Sequence, residues 1–396
     1  MTRSLALILD HRYQRDDSGQ IFSIKGLNHE YFSSRYRSVF PDITVVARLD
    51  QGVSTYPRLG RSLIGEGVRF CEMPYFRGGF AALFARKRIT RFIWEAVDSK
   101  AVICYAPSVC ARLVRDVCHS RGYPFGVEIG GDPESTFTGN AAKVHFRPLW
   151  RWLAMRSLRM VCRDAAVTNY VTRDALQRKY PPGRPGRSFS SSKVELPADM
   201  ILAEPRQLPA AGPLEFIGIG MLDQPYKGCD VFLRIVKRLR DSGKDIRGRW
   251  VGGGSLLDSY VALAAELGLS DQVRFTGAIP AGAGVFAQID SAQVMLMSSR
   301  QEGLPRAMIE AMGRGLPCFG SRVGGVGELL PDARIFTMDD VEGGVRCILD
   351  SGVFTEQGYS DLSRHSLETA RRYSSEALLA ERLRFYAAVR DLELPR

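Results

Sequence analysis

The chain has 396 residues, 45% hydrophobic and 24% charged, with a net charge of +11. That length predicts two domains of ordinary size, and that balance excludes a disordered or collagen-like chain. No apolar run approaches ~18 residues, so no membrane-spanning segment is expected, and the six residues between Arg3 and Asp10 are too few for a signal-peptide core.

Eight cysteines show no Cys-x-x-Cys spacing. They are expected to be reduced, mostly buried thiols of a cytoplasmic protein. The charge is one-sided. Residues 1–200 hold 31 Lys+Arg against 18 Asp+Glu, a net +13, whereas the remaining residues are slightly acidic. A basic first half predicts an anionic partner on that side, such as acidic lipid or a phosphorylated acceptor. No aromatic-basic strand motif points to nucleic acid.

In chain order, "SLALILD", "ITVVARL", "AVICY", "FGVEI" and "AAVTNYV" read as buried strands. Helices are expected in "IFSIKGLNHEYFSSRYRSVF", "SVCARLVRDVCHSRG" and "RPLWRWLAMRSLRMVCR". The loop after the first strand carries His11, Arg12, Arg15, Asp16, Asp17 and Gly19. Gly19 could let backbone approach a ligand; His11 is either catalytic or simply polar surface. Arg86, Lys87, Arg88 and Arg91 form a further basic cluster. In "GGDPESTF", Asp132 either contacts a substrate hydroxyl or caps the turn before Pro133.

At 100° per residue the third helix splits into two faces. Phe146, Leu149, Trp150, Leu153, Met160 and Val161 share one sector; Arg147, Arg151, Arg156, Arg159 and Arg163 lie opposite, with Trp152 among them. Such a face suits an anionic membrane surface, or it is the solvated side of a core helix. A Pro-, Gly- and Ser-rich loop or hinge follows near residues 181–212.

The second half repeats the alternation. Strands are expected in "LEFIGIG", "IRGRWVG", "QVRFTG", "AQVMLMS" and "LPCFGS". Phe232, Ile235, Val236 and Leu239 mark one helix face, and Leu257, Tyr260, Val261 and Ala264 another. Strand–helix–strand alternation means parallel sheets with helices on both faces, whose ligands bind at the carboxyl ends of strands.

Three segments carry chemistry. Lys227 precedes a helix after a glycine-ended strand, where it either neutralises phosphate or is solvated. "VGGGS" around Gly252 opens the next helix, a weak sign of close backbone approach. In "SSRQEGLPRAMIEAMGRG", Glu302 falls on a loop and Glu310 within a helix whose start Pro305 suits. That helix start offers N–H groups to an anion, and the two carboxylates offer acceptors to hydroxyls. A nucleotide sugar has both parts.

The order "YKG…VGGGS…VRFTGAIP…SSRQEGLPRAMIEAMGRGLPCFGSRVGGVGEL" resembles the donor domain of glycosyltransferase family 4, a retaining group with the GT-B fold. The resemblance implies two doubly wound Rossmann-like domains facing a central cleft, with a C-terminal helix packing back on the first. It implies an N-terminal acceptor domain over 1–195, a linker over 196–212, a nucleotide-sugar domain over 213–375 and a crossover helix over 376–396.

The same resemblance implies that Lys227 contacts the donor diphosphate. Glu302 would orient the transferred sugar beside the Gly303–Leu304 backbone. Glu310 would accept from the ribose, and the backbone of Gly277–Ile279 would edge the base. Met221 stands where the family often has an arginine for the diphosphate, and Asp132 follows a strand where it often has a histidine. No metal or cofactor is implied. The expected activity is transfer of a sugar from a UDP- or GDP-sugar to a glycan or lipid-linked saccharide in polysaccharide biosynthesis. A peripheral position on the inner membrane face is part of the expectation. Rival readings on the same fold are a nucleotide-sugar epimerase or hydrolase, and a catalytically silent binding subunit.

Overall fold

The computed structural model describes residues 3–23, 27–53, 62–76, 81–82, 84–134, 147–192, 194, 196–280 and 282–395. The chain divides into two compact units, Met1–Ser191 with Ala380–Arg396, and Ser192–Leu379.

The first unit runs β1 (Leu5–Arg15), β2 (Ile21–Phe22), α1 (His29–Tyr36), β3 (Ile43–Val53), β4 (Val68–Met73), α2 (Arg86–Val97), β5 (Ala101–Ala106), α3 (Val109–Ser120), β6 (Gly126–Ile129), α4 (Arg147–Asp164), β7 (Val167–Tyr170), α5 (Ala175–Lys179) and β8 (Ser188–Ser190). The sheet order is β4-β3-β1-β5-β6-β7-β8, with β2 antiparallel on β1. The central strands read as continuous apolar runs because helices cover both faces. Leu5, Ala6, Leu7 and Ile8 are all fully buried.

The long helix expected from Ile21 does not form there. Ile21 and Phe22 pair with Arg15 and Gln14 across a turn. Asp16 Oδ1 accepts from the Ser18 and Gln20 amides at 2.9 Å each, and Gly19 takes φ 80°. This side-chain turn outcompetes helical propensity. The helix starts only at His29, where Asn28 Oδ1 accepts from the Tyr31 amide. Two further strands, β4 and β8, fall where no strand pattern was read.

The apolar sector of α4 also needs correcting. Leu158, Val161 and Cys162 are buried, but Leu149 is 53% exposed. Only the second half of this helix docks on the core. Phe146 lies outside the described residues.

The second unit runs β9 (Leu214–Ile219), α6 (Cys229–Asp241), β10 (Ile246–Val251), α7 (Leu257–Glu266), β11 (Val273–Phe275), α8 (Ala283–Ser291), β12 (Val294–Met297), α9 (Arg306–Gly313), β13 (Cys318–Ser321), α10 (Val326–Leu329), β14 (Ile335–Phe336), α11 (Val341–Leu349) and α12 (Glu356–Arg371). Its sheet is parallel, in the order β11-β10-β9-β12-β13-β14. The expected face of α6 is in place: Phe232, Ile235, Val236 and Leu239 are fully buried. On α7, Tyr260 and Ala264 are buried but Val261 is exposed. One residue on from Tyr260, it is turned 100° off the buried stripe.

The last helix, α13 (Ser375–Arg390), returns to the first unit, where Phe385, Tyr386 and Val389 are fully buried. It is tied there by a buried polar cluster. Glu128 on β6 accepts from the hydroxyls of Tyr36 (3.2 Å) and Tyr386 (3.4 Å), and Arg35 lies 3.8 Å from its second oxygen. Arg35 also donates to the Tyr386 hydroxyl at 3.0 Å.

Candidate donor site

The second unit gathers its candidate residues at the carboxyl ends of β9, β10, β12 and β13, the edge where parallel sheets bind ligands. After β9 the chain makes a 3₁₀ turn, Pro225–Lys227, and then enters α6 through Gly228. Gly228 has φ 68°, and a Cβ there would collide with the Ser298 carbonyl beyond β12. The Ser298 hydroxyl donates to the Gly228 carbonyl at 2.7 Å. Glycine is therefore required on two counts: backbone conformation and contact with the next loop. This contact sets Lys227 against the loop that carries Glu302.

The result is a direct ion pair. Lys227 Nζ lies 2.7 Å from Glu302 Oε1. The Ser299 hydroxyl donates to the same oxygen at 2.7 Å. Lys227 and Ser299 thus both engage Oε1, and neither engages Oε2. The loop is held from its far side by the β13–α10 turn. Gly324 has φ 49°, and a Cβ there would collide with the Glu302 carbonyl, while the Gly325 amide donates to the Gly303 carbonyl at 2.6 Å.

Helix α9 starts directly after this loop. Its N-cap is Pro305, which makes no side-chain cap. Its first-turn amides thus lack the usual side-chain acceptor, and they carry the positive end of the helix dipole. Gly303 is exposed and Leu304 half-buried beside it. Gly252, after β10, lies against the Gly220 carbonyl and the Met221 amide, and donates to the Gly277 carbonyl at 3.0 Å. Met221 is 51% exposed, and Ile279 is partly buried against the core cluster that includes Val251 and Ile289.

Glu310 lies one turn into α9, half-buried. Burial pushes its carboxyl above the ordinary glutamate range, and Arg306, one turn earlier, pulls it back down. The native state therefore holds this proton more tightly than the unfolded chain does. The associated stability is complete below the unfolded pKa, about 4.3, and is lost as pH rises through the raised folded value. Glu310→Gln is expected to raise the unliganded melting temperature at pH 8 and to lose that advantage near pH 4. If Glu310 accepts from a ribose, as the resemblance implies, the same variant is expected to bind nucleotide about tenfold more weakly, through loss of a charge-assisted hydrogen bond. Thermal unfolding at both pH values and calorimetric titration check the two effects separately.

Sequence reasoning missed Ser299 and Arg300, which flank the loop. Both lie inside the quoted acidic segment; the Ser299 hydroxyl reaches Glu302 three residues on, whereas the partners of Arg300 are remote in sequence and only the fold shows them.

The first-unit candidates are placed as follows. Gly19 is exposed at the β1–β2 turn, and His11 Nε2 lies 2.7 Å from the Ser23 hydroxyl. Asp132 follows β6 and caps its turn by accepting from the Glu134 amide at 2.9 Å. It also takes the Tyr180 hydroxyl and the Lys179 ammonium at 2.5 Å each. Burial and the adjacent Asp132 push the Tyr180 hydroxyl up, which keeps it a donor. Glu134 pairs with both Lys179 and Arg151. On α4, Arg151, Arg156, Arg159 and Trp152 are all exposed. Arg156 stacks over Trp152 at 5.5 Å, and Arg159 over Tyr180 at 5.9 Å.

Residues 214–350, the segment holding Lys227, Glu302 and Glu310, match the family described as glycosyl transferases group 1. Over 321 residues the chain is 23% identical to the protein CapJ of Staphylococcus aureus, covering 80% of this chain and 78% of that one. It is 28% identical to a GDP-mannose-dependent alpha-(1-6)-phosphatidylinositol monomannoside mannosyltransferase of Mycolicibacterium smegmatis, covering 48% and 52% of the two chains.

The chain is a glycosyltransferase.

The fold of this glycosyltransferase agrees. The lipopolysaccharide outer core galactosyltransferase WaaB, in its apo form, superimposes with a TM-score of 0.64 at 14% identity, over 96% of this chain and 97% of that one. Both units are thus Rossmann-like halves of the GT-B fold. Among the described residues of the glycosyltransferase, no three His, Cys, Asp or Glu side chains are grouped to hold a metal ion. No described helix is long and apolar enough to cross a membrane.

Proposed function

We propose that this glycosyltransferase moves a hexose from a UDP- or GDP-sugar to a hydroxyl of a glycan or lipid-linked saccharide, with retention at the anomeric carbon. The observation that carries the reading is the Lys227–Glu302 pair beside the uncapped start of α9. One cation and a row of amides meet the diphosphate, and one carboxylate meets the sugar.

On this reading, donor binding brings the diphosphate to Lys227 and the α9 amides. These stabilise the charge that grows on the leaving group as the glycosidic bond breaks. Glu302 holds the sugar through its hydroxyls, Glu310 accepts from the ribose, and the backbone of Gly277–Ile279 borders the base. The acceptor hydroxyl attacks from the face the diphosphate leaves.

The test is the product. Nucleotide sugars are screened by thermal shift, and the stabilising one is incubated with lipid and glycan extracts. An α-linked product from an α-configured donor supports retention; a β-linked product overturns it.

The exposed face of α4 supports a peripheral position on anionic membrane. A lipid-linked acceptor suits it, as the mycobacterial relative is named for a phosphatidylinositol mannoside. Arg156→Glu with Arg159→Glu is expected to abolish co-flotation with vesicles containing phosphatidylglycerol, and wild type should not float with phosphatidylcholine alone. Equal flotation of all samples would sink the membrane reading.

A further inference from the structure

We propose that Arg300 is a positioning residue that clamps the Lys227 turn to the Glu302 loop. The inference rests on the donor-site reading above and extends it to a residue that touches no ligand.

Arg300 lies two residues before Glu302, on the loop after β12. Its guanidinium spans the gap to the segment that carries Lys227. Nη1 donates to the Pro225 carbonyl at 2.8 Å and to Asp230 Oδ1 at 2.9 Å. Nη2 donates to Asp230 Oδ2 at 2.6 Å, and Nε lies 2.7 Å from Asp339 Oδ1. The Arg300 amide donates to the Tyr226 carbonyl at 2.7 Å. Lys227 is therefore held on both sides: Pro225 and Tyr226 before it, Asp230 after it.

A guanidinium has five N–H bonds in a fixed fork, and four are committed here. This has two consequences. Arg300 does not stand in for the diphosphate arginine replaced by Met221, because its donors face the protein. A lysine could not replace it, because an ammonium lacks the planar fork that engages both Asp230 oxygens. Asp339 is itself unusual, with φ 64°, a left-handed conformation that a non-glycine residue adopts at some cost. Its carboxylate on Arg300 gives that conformation a purpose.

The clamp fixes two loops that meet at a single ion pair. Lys227 and Glu302 sit on different strand ends, and their 2.7 Å contact depends on the loops keeping register. Without the Arg300 side chain the Lys227 turn would keep that pair, the Ser298–Gly228 contact and the backbone bond from residue 300 to Tyr226, but would lose the fork that fixes Pro225 and Asp230 on either side of it. The diphosphate site would then be less well formed before the ligand arrives, and binding would have to order it.

The test uses the full chain, free nucleotides and a double-mutant cycle. UDP, GDP, UMP and GMP are titrated calorimetrically into wild type, Arg300→Ala, Lys227→Ala and the double variant. Arg300→Ala is expected to weaken the preferred nucleoside diphosphate about tenfold, the scale of one charge-assisted phosphate contact. The monophosphate should change less than about twofold, since Lys227 serves the outer phosphate on this reading. In the Lys227→Ala background, Arg300→Ala should have no further effect.

Effects that multiply instead would overturn the positioning role, because a residue acting through Lys227 cannot matter once Lys227 is gone. Equal losses for diphosphate and monophosphate would overturn it too. A Lys227→Ala variant with unchanged diphosphate affinity sinks the donor-site reading as well, which separates the two failures. If Arg300→Ala does not fold, Asp339→Gly carries the same cycle. Glycine accepts φ 64° freely and deletes only one arm of the clamp. It should give a smaller diphosphate-specific loss, again absent without Lys227.

Discussion

Glu302→Gln is expected to lower the rate of sugar transfer about 10²–10³-fold while leaving nucleoside diphosphate affinity within about threefold of wild type. The side chain keeps its length and shape, so the loop is not vacated. What changes is charge and hydrogen-bonding sense. Glu302 Oε1 accepts from Lys227 and Ser299 at 2.7 Å each, and an amide in the same place has one acceptor oxygen and one donor nitrogen. It can satisfy the two donors with its oxygen, but then it turns N–H bonds toward the sugar where a carboxylate offered an acceptor. On the proposed reading the sugar's hydroxyls lose the acceptor that orients them.

Nucleotide binding should survive for the opposite reason. Lys227 is released from a counter-charge and is, if anything, freer to meet phosphate. Transfer from a radiolabelled nucleotide sugar into a lipid extract measures the first effect; calorimetric titration with the nucleoside diphosphate measures the second. Wild-type turnover in the variant would refute the role given to Glu302. A parallel loss of nucleotide affinity would mean that it serves binding rather than reaction. Lys227→Ala is the complementary variant, with its first effect on diphosphate affinity.

The donor unit was legible because its signals are local. The ends of β9, β10 and β11 are each marked by an apolar run closing in glycine, and Pro305 marks the start of α9. The facing of α6 follows from four apolar residues at helical spacing, all of them buried. The resemblance gave Lys227 and Glu302 separate roles on one donor; their direct contact came from the structure, since 75 residues separate them and no spacing rule reaches that far. Arg300 illustrates the limit more sharply. In the sequence it is one arginine among many, and its meaning comes from Asp230 and Asp339, which lie 70 and 39 positions away.

The first unit was harder. Strand β8 sits in a proline- and serine-rich stretch that reads as loop, because edge strands need little apolar surface. The helix misplaced at Ile21 was lost to a turn built by Asp16. Leu149 lies on the apolar sector read from the sequence, but the buried stripe of α4 runs through Leu158, Val161 and Cys162, and Leu149 is turned roughly 120–180° away from it. Periodicity tells which way a residue points, not whether anything is there to meet it.

Glu128→Ala should have the largest effect on stability, unfolding the first unit about 10 °C early. The carboxylate is 4% exposed and the Arg35 guanidinium 9%, so both ions have been taken almost completely out of water. Deleting one ion leaves the other buried without its carboxylate, a change that costs about 3–5 kcal/mol. Against a total of about 5–15 kcal/mol this is a large share. For a unit of this size each kcal/mol moves the melting temperature by about 2–4 °C.

Two hydroxyls are affected as well. Those of Tyr36 and Tyr386 lose their acceptor on Glu128, although Tyr36 keeps the Tyr105 hydroxyl at 2.7 Å and Tyr386 still receives from Arg35. Glu128→Gln, which keeps an acceptor oxygen but no charge, should therefore fall between wild type and Ala. Since Tyr386 is on the returning helix α13, early loss of this helix is the expected route of unfolding. Calorimetry should show the first unit's transition shifted and the second unit's unmoved, with nucleotide affinity retained at 20 °C.

A double replacement separates charge burial from packing. If the penalty is a stranded cation, Glu128→Leu combined with Arg35→Met should recover most of the loss, because apolar residues of similar volume can replace a buried ion pair at little cost. A double variant no better than Glu128→Ala would instead make the hydroxyl network the main contributor. A Glu128→Ala protein melting within 2 °C of wild type would show that the cluster does not hold α13 at all.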